Sequence, residues 1–370
     1  MAGALLPYDN LPARRLHAHA RVMRPSQIAE VIDREFRAAA SGVHTPAMLW
    51  GPPGVGKSQI VAQVAARHGV RLIDIRLAQM EPTDLRGIPF REGRNVVWSI
   101  PALLPDAARH GASGILFLDE ITSAVPTVTA AAYQLILDRR LGDYEVPAGW
   151  AILAAGNRQG DRGVTYQMAA PLANRFAHYE LEPDLDDWVE WALRAGVDAR
   201  LVAFLRFRPD LLFDFDPARH AAAFPSPRSW EFASRAIAKF GDRPSLLRAA
   251  LVSCVGAAAG LAAGAYIEHV GALPDPADVV AGRVTEVPRG VELQYALAAA
   301  VVRHVARLAG AEQVRAASGV LDYARRFPQR ELGVMLVTDL QRVVGRPLYD
   351  VPAFADWAES VADLLSYDRT

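Results

Sequence analysis

The chain has 370 residues, which is enough for one large domain or two of ordinary size, each with a substantial core. Lys plus Arg total 40 and Asp plus Glu total 41, and this balance argues against a protein that coats nucleic acid or anionic membrane through bulk charge. The single cysteine, Cys254, excludes an intramolecular disulfide and a zinc site built on four cysteines. A reducing, cytoplasmic setting is therefore expected.

Residues 1–23 are predicted to be an irregular leader that contains arginine and histidine. Pro7 breaks its apolar run and no basic segment precedes that run, so the leader does not have the pattern of a signal peptide. His17 and His19 lie two positions apart, but no other cluster of ligand-type side chains lies near them in the sequence. This isolation argues against a metal site in the leader.

Short apolar runs alternate with helical patterns over the first half of the chain. The segment over 26–40 shows the helical pattern, because Ile28 and Ile32 recur at helical spacing behind a capping serine. Such alternation is typical of a parallel sheet covered by helices on both faces, so an α/β domain is predicted over residues 24–182. The strands are predicted over 47–50, 71–75, 114–118, 150–154 and 177–181, with further helices over 58–67 and 127–139.

After about residue 183 every predicted element is a helix. A turn-rich segment near 273–288 is expected to separate two helical subregions. The stretch over 249–267 has no charge and has glycine at every fourth position, but glycine and alanine supply too little apolar transfer energy for a membrane span. It is therefore predicted to be a buried helix whose small residues permit close packing, and no membrane span is expected. The helices are predicted over 184–195, 227–240, 244–266, 291–308 and 330–344.

The strongest motif is GPPGVGKS over residues 51–58, a full match to the pattern GxxxxGK[ST]. It follows an apolar strand and opens a helix, which is the context in which this pattern binds phosphate. Its glycines let backbone N–H groups approach phosphate oxygens, and the helix N-terminus adds positive potential. Lys57 is expected to reach the β- and γ-phosphates and Ser58 to bind Mg²⁺. The phosphate-contacting residues are predicted to be Gly51, Pro52, Pro53, Gly54, Val55, Gly56, Lys57 and Ser58.

A second apolar strand ends in two carboxylates, in the sequence ILFLDE over residues 115–120. Asp119 is expected at the end of this strand, where it could hold Mg²⁺ through a water molecule. Glu120 could orient and polarise an attacking water, which makes hydrolysis the expected reaction. Without the phosphate loop, the same pattern would indicate only a strand that leaves the core.

Together, GPPGVGKS and LFLDE resemble the corresponding motifs of the AAA+ ATPases. Three further positions match that family. Asn157, after a strand and in the sequence GNR, matches sensor 1, and the resemblance implies that it contacts the attacking water or the γ-phosphate. Arg175, in PLANRF, matches the arginine finger that a subunit supplies to its neighbour. Arg228, in FPSPRSW, resembles sensor 2, which faces the same nucleotide from the helical lid.

The resemblance implies a fold as well as a site. The expected fold class is a P-loop AAA+ parallel-sheet α/β sandwich, followed by an all-helical lid over residues 183–270 and a C-terminal helical extension over residues 271–370. The resemblance covers residues 25–270, so the leader and the extension have no matching motif.

Within AAA+, the sequence is most similar to the MoxR-like ATPases. The segment EPTDLRG at 81–87 and a predicted hairpin through 90–96 lie between the two nucleotide motifs, where this branch has its helix-2 insert, here about 84–99. The resemblance implies a ring ATPase, expected to be a homo-hexamer, that uses ATP and Mg²⁺. It also implies a protein client that is remodelled or matured by metal-cofactor insertion, and a partner with a von Willebrand factor A domain.

Two features of the site region keep alternative interpretations. Arg162 is either a second interface arginine or the partner of Asp161 in a loop salt bridge. For Phe90 and Trp98, which flank the predicted hairpin, cross-strand packing is the expected role and direct substrate contact is the alternative.

Other functions remain compatible with a phosphate loop. A nucleic-acid motor or restriction-type ring NTPase on the same scaffold is the second hypothesis; near-neutral charge argues against it, although Arg91 and Arg94 could line a pore that tracks a phosphate backbone. A monomeric P-loop kinase is a third hypothesis, and the sensor and finger positions argue against it. A nucleotide-gated interaction protein with very slow hydrolysis is the fourth, and the filled catalytic positions argue against it.

Overall fold

The computed structural model describes residues 22–161, 166–219, 221–270 and 273–365. The leader up to residue 21, with His17 and His19, therefore lies outside the described residues, as does Arg162. The chain divides into two compact units, Met1–Glu182 and Pro183–Thr370, and each is described by itself.

The first unit is built on a parallel sheet. In chain order the strands of this unit are β1 Val22–Met23, β2 Ala47–Trp50, β3 Arg71–Arg76, β4 Pro89–Glu92, β5 Asn95–Trp98, β6 Ser113–Asp119, β7 Arg140–Leu141, β8 Tyr144–Glu145, β9 Gly149–Gly156 and β10 Ala177–Leu181. Within the described residues, six of them form one sheet in the order β1-β10-β2-β9-β6-β3, and every pair in it is parallel. The predicted α/β class is thus confirmed, and β1 is an edge strand that the sequence pattern did not reveal.

The middle strands of this sheet are buried on both faces, as continuous apolar runs require. Met48 on β2, Phe117 on β6 and Leu153 on β9 have no exposed surface. Helices cover the sheet, and the first of them has Ile28 and Ile32 fully buried, at the spacing that predicted it. The helices of the first unit are α1 Pro25–Ala39, α2 Lys57–His68, α3 Pro82–Arg86, α4 Ala107–His110, α5 Pro126–Asp138 and α6 Ala170–Ala173.

A β-hairpin interrupts the unit between β3 and α4. Strands β4 and β5 pair antiparallel, with Phe90 opposite Val97 and Pro89 opposite Trp98. Gly87 is required at the base, since its φ is +82° and a Cβ there would lie 1.7 Å from the carbonyl oxygen of Ser99. The hairpin leaves much apolar surface in solvent: the exposed side chains are Ile88, Phe90, Val96, Trp98 and Ile100.

The second unit is helical. Its helices are α7 Leu185–Ala195, α8 Ala199–Phe207, α9 Pro227–Phe240, α10 Pro244–Val255, α11 Ala257–His269, α12 Pro276–Val280, α13 Val291–Ala306, α14 Gly310–Ala324, α15 Arg330–Val344, α16 Pro352–Ser360 and α17 Ala362–Leu365. The sequence pattern did not predict α8, α14, α16 or α17, and the short α12 lies inside the segment predicted to be turns.

The prediction of a single helix over 244–266 is wrong, because this segment forms the two helices α10 and α11. Gly256 has a φ of +84° and separates α10 from α11. The two helices pack closely, because a Cβ at Gly260 would lie 2.6 Å from the Cα of Val252. The small residues therefore permit close helix packing, as expected, but the packing is between α10 and α11 and not around one continuous helix. Among the described residues, no helix combines the length and the apolar content needed to cross a membrane.

The core of the second unit contains a buried ion pair. Asp339 on α15 is 1% exposed and accepts hydrogen bonds from both terminal nitrogens of Arg206 on α8, one of them at 2.6 Å. Arg342 adds a third bond, at 3.1 Å, to the same carboxylate. Because the charges are paired and hydrogen-bonded, they can be buried between apolar helices.

Candidate active site

The phosphate loop connects β2 to α2 and depends on glycine at three positions. Gly54 and Gly56 have φ angles of +84° and +99°, which L-residues with side chains rarely adopt. At Gly51 the limit is space, because a Cβ would lie 2.8 Å from the carbonyl oxygen of Leu181 on the neighbouring strand. The helix α2 begins at Lys57, so the N–H groups of its first turn adjoin the loop.

Lys57 joins the phosphate loop to the end of β9. Its Nζ donates to the carbonyl oxygens of Gly51 and Pro52 at 2.6 and 3.1 Å, and to Oδ1 of Asn157 at 3.1 Å. A sheet order with β2 beside β9 brings the lysine and the asparagine together. Two residues that are 100 positions apart in the sequence therefore share one edge of the sheet.

Ser58 and Asp119 form the second contact of this edge. The Oγ of Ser58 donates to Oδ2 of the buried Asp119 at 2.6 Å, and the backbone N–H of Glu120 donates to Oδ1 at 2.8 Å. Within the part of the chain that the structure describes, no group of three or more His, Cys, Asp or Glu side chains could hold a metal ion. A hydroxyl beside a carboxylate suits Mg²⁺, which usually retains waters and substrate phosphates among its ligands. The residues present therefore fit Mg²⁺ that arrives with a nucleotide.

Glu120 has an unusual backbone conformation. Its φ is +57°, in the left-handed region that residues with a Cβ rarely occupy. The conformation turns the chain out of β6 directly after Asp119, and the following N–H, of Ile121, bonds to the carbonyl of Ala155 at 3.0 Å. Backbone strain of this kind clusters at functional sites, where it fixes the direction of a reactive group.

Thr122 fixes Asn157, and sequence analysis missed it. The Oγ1 of this buried threonine accepts the N–H of Asn157 at 3.2 Å and lies 3.4 Å from its carbonyl oxygen. Gly156 is required beside it, because a Cβ would lie 2.7 Å from the threonine side chain. The only signal in the sequence is that Thr122 follows the two carboxylates closely.

Arg158 is held by two acidic residues. Its guanidinium contacts Glu180 on β10 and Asp161, and Oδ2 of the buried Asp161 also accepts the N–H of Arg158 at 2.9 Å. Burial lowers the pKa of Arg158, but the hydrogen bonds to Glu180 and Asp161 outweigh it and raise the pKa above its ordinary value. The described partner of Asp161 is thus Arg158, and neither of the two roles considered for Arg162 is tested, because Arg162 lies outside the described residues.

A third carboxyl group lies near Asp119 and Glu120. Asp74 on β3 keeps more than a third of its surface exposed, yet its pKa is raised. Loss of solvent around the carboxyl contributes most, followed by the negative charge of Asp119, while Arg76 acts in the opposite direction. Asp119 and Glu120 both raise the pKa of Asp74, which reflects the dense negative charge at this edge of the sheet.

Arg175 and Arg228 are both exposed. Arg175 lies two residues after the end of α6, in the turn that connects the buried residues Leu172 and Phe176. Its side chain has no hydrogen bond or ion pair with any described residue. Arg228 lies in the first turn of α9 in the second unit. The cap of that helix is well defined, because Ser226 and Ser229 exchange side-chain to backbone hydrogen bonds at 3.1 and 2.8 Å.

Comparison with known proteins gives similarities over the region of this site. Residues 46–176 match the family model of the AAA domain (dynein-related subfamily). The chain is 31% identical over 155 residues to protein NorQ of Paracoccus denitrificans, which is 40% of this chain and 56% of NorQ. It is 29% identical over 143 residues to the ATP-dependent zinc metalloprotease FtsH of Ureaplasma parvum, 36% of this chain and 19% of FtsH.

Solved structures give a weaker similarity. The crystal structure of NtrX from Brucella abortus in complex with ADP aligns at 17% identity and a TM-score of 0.37, over 91% of this chain and 68% of that chain. This TM-score is too low to establish a shared fold, so the fold assignment depends on the parallel sheet described above. The family match and the similarity to NorQ support the resemblance to AAA+ ATPases of the MoxR-like type over the segment that they cover.

Proposed function

We propose that this chain, which carries an AAA+ ATPase domain of the MoxR-like type, hydrolyses ATP as a subunit of a homo-oligomeric ring and uses the energy to remodel a protein client. One observation carries the proposal. Lys57 contacts Asn157 and Ser58 contacts Asp119, so the phosphate loop, the strand-end carboxylate and sensor 1 meet at one edge of the sheet. Ligands of parallel α/β sheets bind at this edge, outside the carboxyl ends of the strands.

Each residue of the edge has a role in the proposed reaction. The loop N–H groups and Lys57 bind the β- and γ-phosphates, and Asn157 orients the γ-phosphate or the attacking water. Glu120 accepts a hydrogen bond from that water and takes its proton as the water oxygen bonds to the γ-phosphorus, while the bond from this phosphorus to the bridging oxygen breaks and ADP leaves. Ser58 and Asp119 would hold Mg²⁺, which neutralises charge on the phosphate oxygens when it is bound.

Arg175 completes the site from the neighbouring subunit in this proposal. Its exposure, and the absence of a side-chain bond to any described residue, support a role outside its own subunit. A guanidinium that reaches the γ-phosphate of a neighbour stabilises the charge of the transition state. A ring, proposed to be hexameric, follows from this dependence. Arg228 is proposed to approach a nucleotide from the lid as sensor 2.

The client contact is proposed to be the hairpin β4–β5. Phe90 and Trp98 are 50% and 42% exposed, so cross-strand packing does not account for all of their apolar surface. An exposed apolar patch of this kind is typical of an interaction site. A chaperone role, including metal-cofactor insertion, and a partner with a von Willebrand factor A domain belong to the same proposal, as does a cytoplasmic location for a chain with one cysteine.

The proposal is tested by measuring ATPase rate and molecular mass together, by light scattering, over a range of protein concentrations with and without ATP and Mg²⁺. Specific activity is expected to rise as rings assemble. Lys57→Ala is expected to lose ATP binding, because it removes the charge that faces the phosphates. A monomer whose turnover is independent of concentration would overturn the ring, and unchanged ATP binding by Lys57→Ala would overturn the phosphate site.

A nucleic-acid motor is the second candidate, favoured only by Arg91 and Arg94, which are exposed on the same hairpin. Stimulation of ATP hydrolysis by DNA, lost on addition of salt, would support it. If DNA does not stimulate ATP hydrolysis at low salt, this candidate is excluded and the protein client is left as the proposed substrate.

A further inference from the structure

A bridge of three groups links the strand that precedes the phosphate loop to the segment that carries Arg175. The indole Nε1–H of Trp50 donates to Nδ1 of His178 at 2.8 Å. On the other side of the ring, Nε2 of His178 lies 2.7 Å from the carbonyl oxygen of Ala173. The indole and imidazole rings are inclined by 20°, so they are nearly parallel.

The two partners of His178 select one form of its ring. An indole nitrogen only donates a hydrogen bond, and a carbonyl oxygen only accepts one. Nδ1 of His178 must therefore be the acceptor and Nε2 the donor. The bridge requires the neutral imidazole with its proton on Nε2.

The carbonyl of Ala173 is also the first group of a tight turn. It accepts the N–H of Phe176 at 3.2 Å, which closes a four-residue turn with Arg175 at the third position. We call residues 173–176 the finger turn. The buried Leu172 and Phe176 anchor its two ends in the core, while Arg175 is exposed.

We infer that His178 is a positioning residue that orients the finger turn, and through it the arginine that a subunit presents to its neighbour. The inference depends on the finger role proposed for Arg175. No described residue holds the guanidinium through a side-chain bond, so the turn itself must set the direction in which the side chain leaves the subunit. By linking the carbonyl of Ala173 to the indole of Trp50, His178 fixes this direction before two subunits meet, which lowers the cost of reaching the reactive geometry.

The bridge has a second end, which defines the competing interpretation. Trp50 directly precedes Gly51, whose carbonyl oxygen accepts a hydrogen bond from the ammonium group of Lys57. Loss of His178 could therefore disturb either the finger given to the neighbour or the phosphate loop of the same subunit. Mixed rings separate the two effects, because the finger and the loop of one subunit serve different ATP molecules.

The first experiment compares three substitutions of His178. His178→Phe keeps an aromatic ring and loses both hydrogen bonds, and we expect kcat to fall about 10- to 100-fold with KM for ATP within about twofold of wild type. His178→Gln can accept from Trp50 and donate to Ala173, so it should restore most of the rate. His178→Asn is polar but too short to span both partners, and it should behave like the phenylalanine variant.

The second experiment mixes His178→Phe with Glu120→Gln at several ratios. In a mixed ring, some interfaces combine the intact Glu120 of one subunit with the correctly held finger of the other, so turnover should rise above that of either variant alone. Absence of rescue, with a raised KM for ATP, would place the defect in the phosphate loop and overturn the inference. Equal rates for His178→Gln and His178→Asn would overturn it as well, and this comparison remains valid if the phenylalanine variant does not fold.

Two controls separate this inference from the proposed function. If Arg175→Ala keeps full activity, the finger itself is wrong; if it loses activity while His178→Phe does not, only the positioning role is wrong. In the Arg175→Ala background, His178→Phe should cause no further loss beyond about twofold. His68→Phe is the matched control in the same unit. His68 bonds to Asp33, with 2.6 Å between Nε2 and Oδ1, and not to the finger turn. The turnover of this variant should therefore equal that of wild type.

Discussion

Buried polar side chains occur in both units of the chain, but their surroundings differ. In the described part of the first unit they are Asp119, Thr122 and Asp161, and all three lie at or just beyond the carboxyl ends of β6 and β9. In the described part of the second unit they are Asp187, Ser226, Ser229, Gln294 and Asp339. Asp339 lies within the helical core, and both of its oxygens bond to arginines. Polar groups gathered at one sheet edge suit a reaction, whereas a paired charge between helices suits stability.

The energetic consequences should differ in the same way. At the sheet edge, a lost group affects the transition state and leaves the apolar core of the first unit intact. In the helical core, a lost partner leaves a buried charge without compensation. Substitutions at the sheet edge should therefore change turnover, and substitutions in the helical core should change stability.

The largest effect is expected from Arg175→Ala. In related phosphoryl-transfer enzymes an arginine supplied in trans contributes about 10³- to 10⁵-fold to the rate, and a loss of this order is expected here. Because Arg175 is exposed, the urea midpoint of unfolding should be unchanged. Turnover is measured by phosphate release, alone and after mixing with Glu120→Gln. A failure to recover activity at any mixing ratio would leave Arg175 without a role in trans.

Glu120→Gln should lower turnover by about 10²- to 10⁴-fold, because the amide can no longer take a proton from the attacking water. ATP binding should persist, measured by equilibrium titration with a fluorescent ATP analogue. Since an amide has nearly the shape of a carboxylate, the left-handed backbone at this position is retained and stability should not change. Normal turnover would show that another group acts as the base.

Asp339→Ala should reduce the free energy of unfolding by about 3–5 kcal/mol, because Arg206 is left buried without its partner. The urea midpoint is the measurement. The matched control is Asp210→Ala in the same unit, which removes an equally bidentate but exposed pair with Arg208 and should leave the midpoint unchanged. Equal effects of the two substitutions would contradict the distinction between core and surface pairs.

The smallest effect is expected from Asp74→Asn. The pKa of Asp74 is raised in the folded chain, so its ionised form opposes folding at neutral pH and this penalty disappears as pH falls below the pKa of the unfolded chain. The amide should therefore raise the urea midpoint slightly at pH 7 and leave it unchanged at low pH. Turnover should stay near wild type. A large loss of turnover would instead make Asp74 a third carboxylate of the active site.

The α/β class and the phosphate loop could be predicted because their signals are local. The motif GPPGVGKS is contiguous, and an apolar run buried on both faces of a sheet shows its nature within about five residues. The helix α8 was missed for the opposite reason. Its own apolar side chains, which include Leu201, Val202 and Phe204, lie on nearly every side of the helix, so its sequence shows no clear amphipathic period.

The break at Gly256 also has a physical reason. A glycine with a positive φ ends a helix, but the sequence around it is a run of small residues that would equally well continue one. Only the packing of Gly260 against the backbone of Val252 shows why the chain reverses there.

The sequence by itself predicted which residues would hold phosphate, bind Mg²⁺ and activate water, because each of these groups belongs to a contiguous motif. The tertiary structure alone decided which other residues support this edge of the sheet. Thr122 holds Asn157, Glu180 holds Arg158, and Trp50 together with His178 holds the finger turn. The strand order β10-β2-β9-β6 brings together residues that are 22 to 128 positions apart. No local pattern encodes such a pair, because its two members become neighbours only when parallel strands align their carboxyl ends.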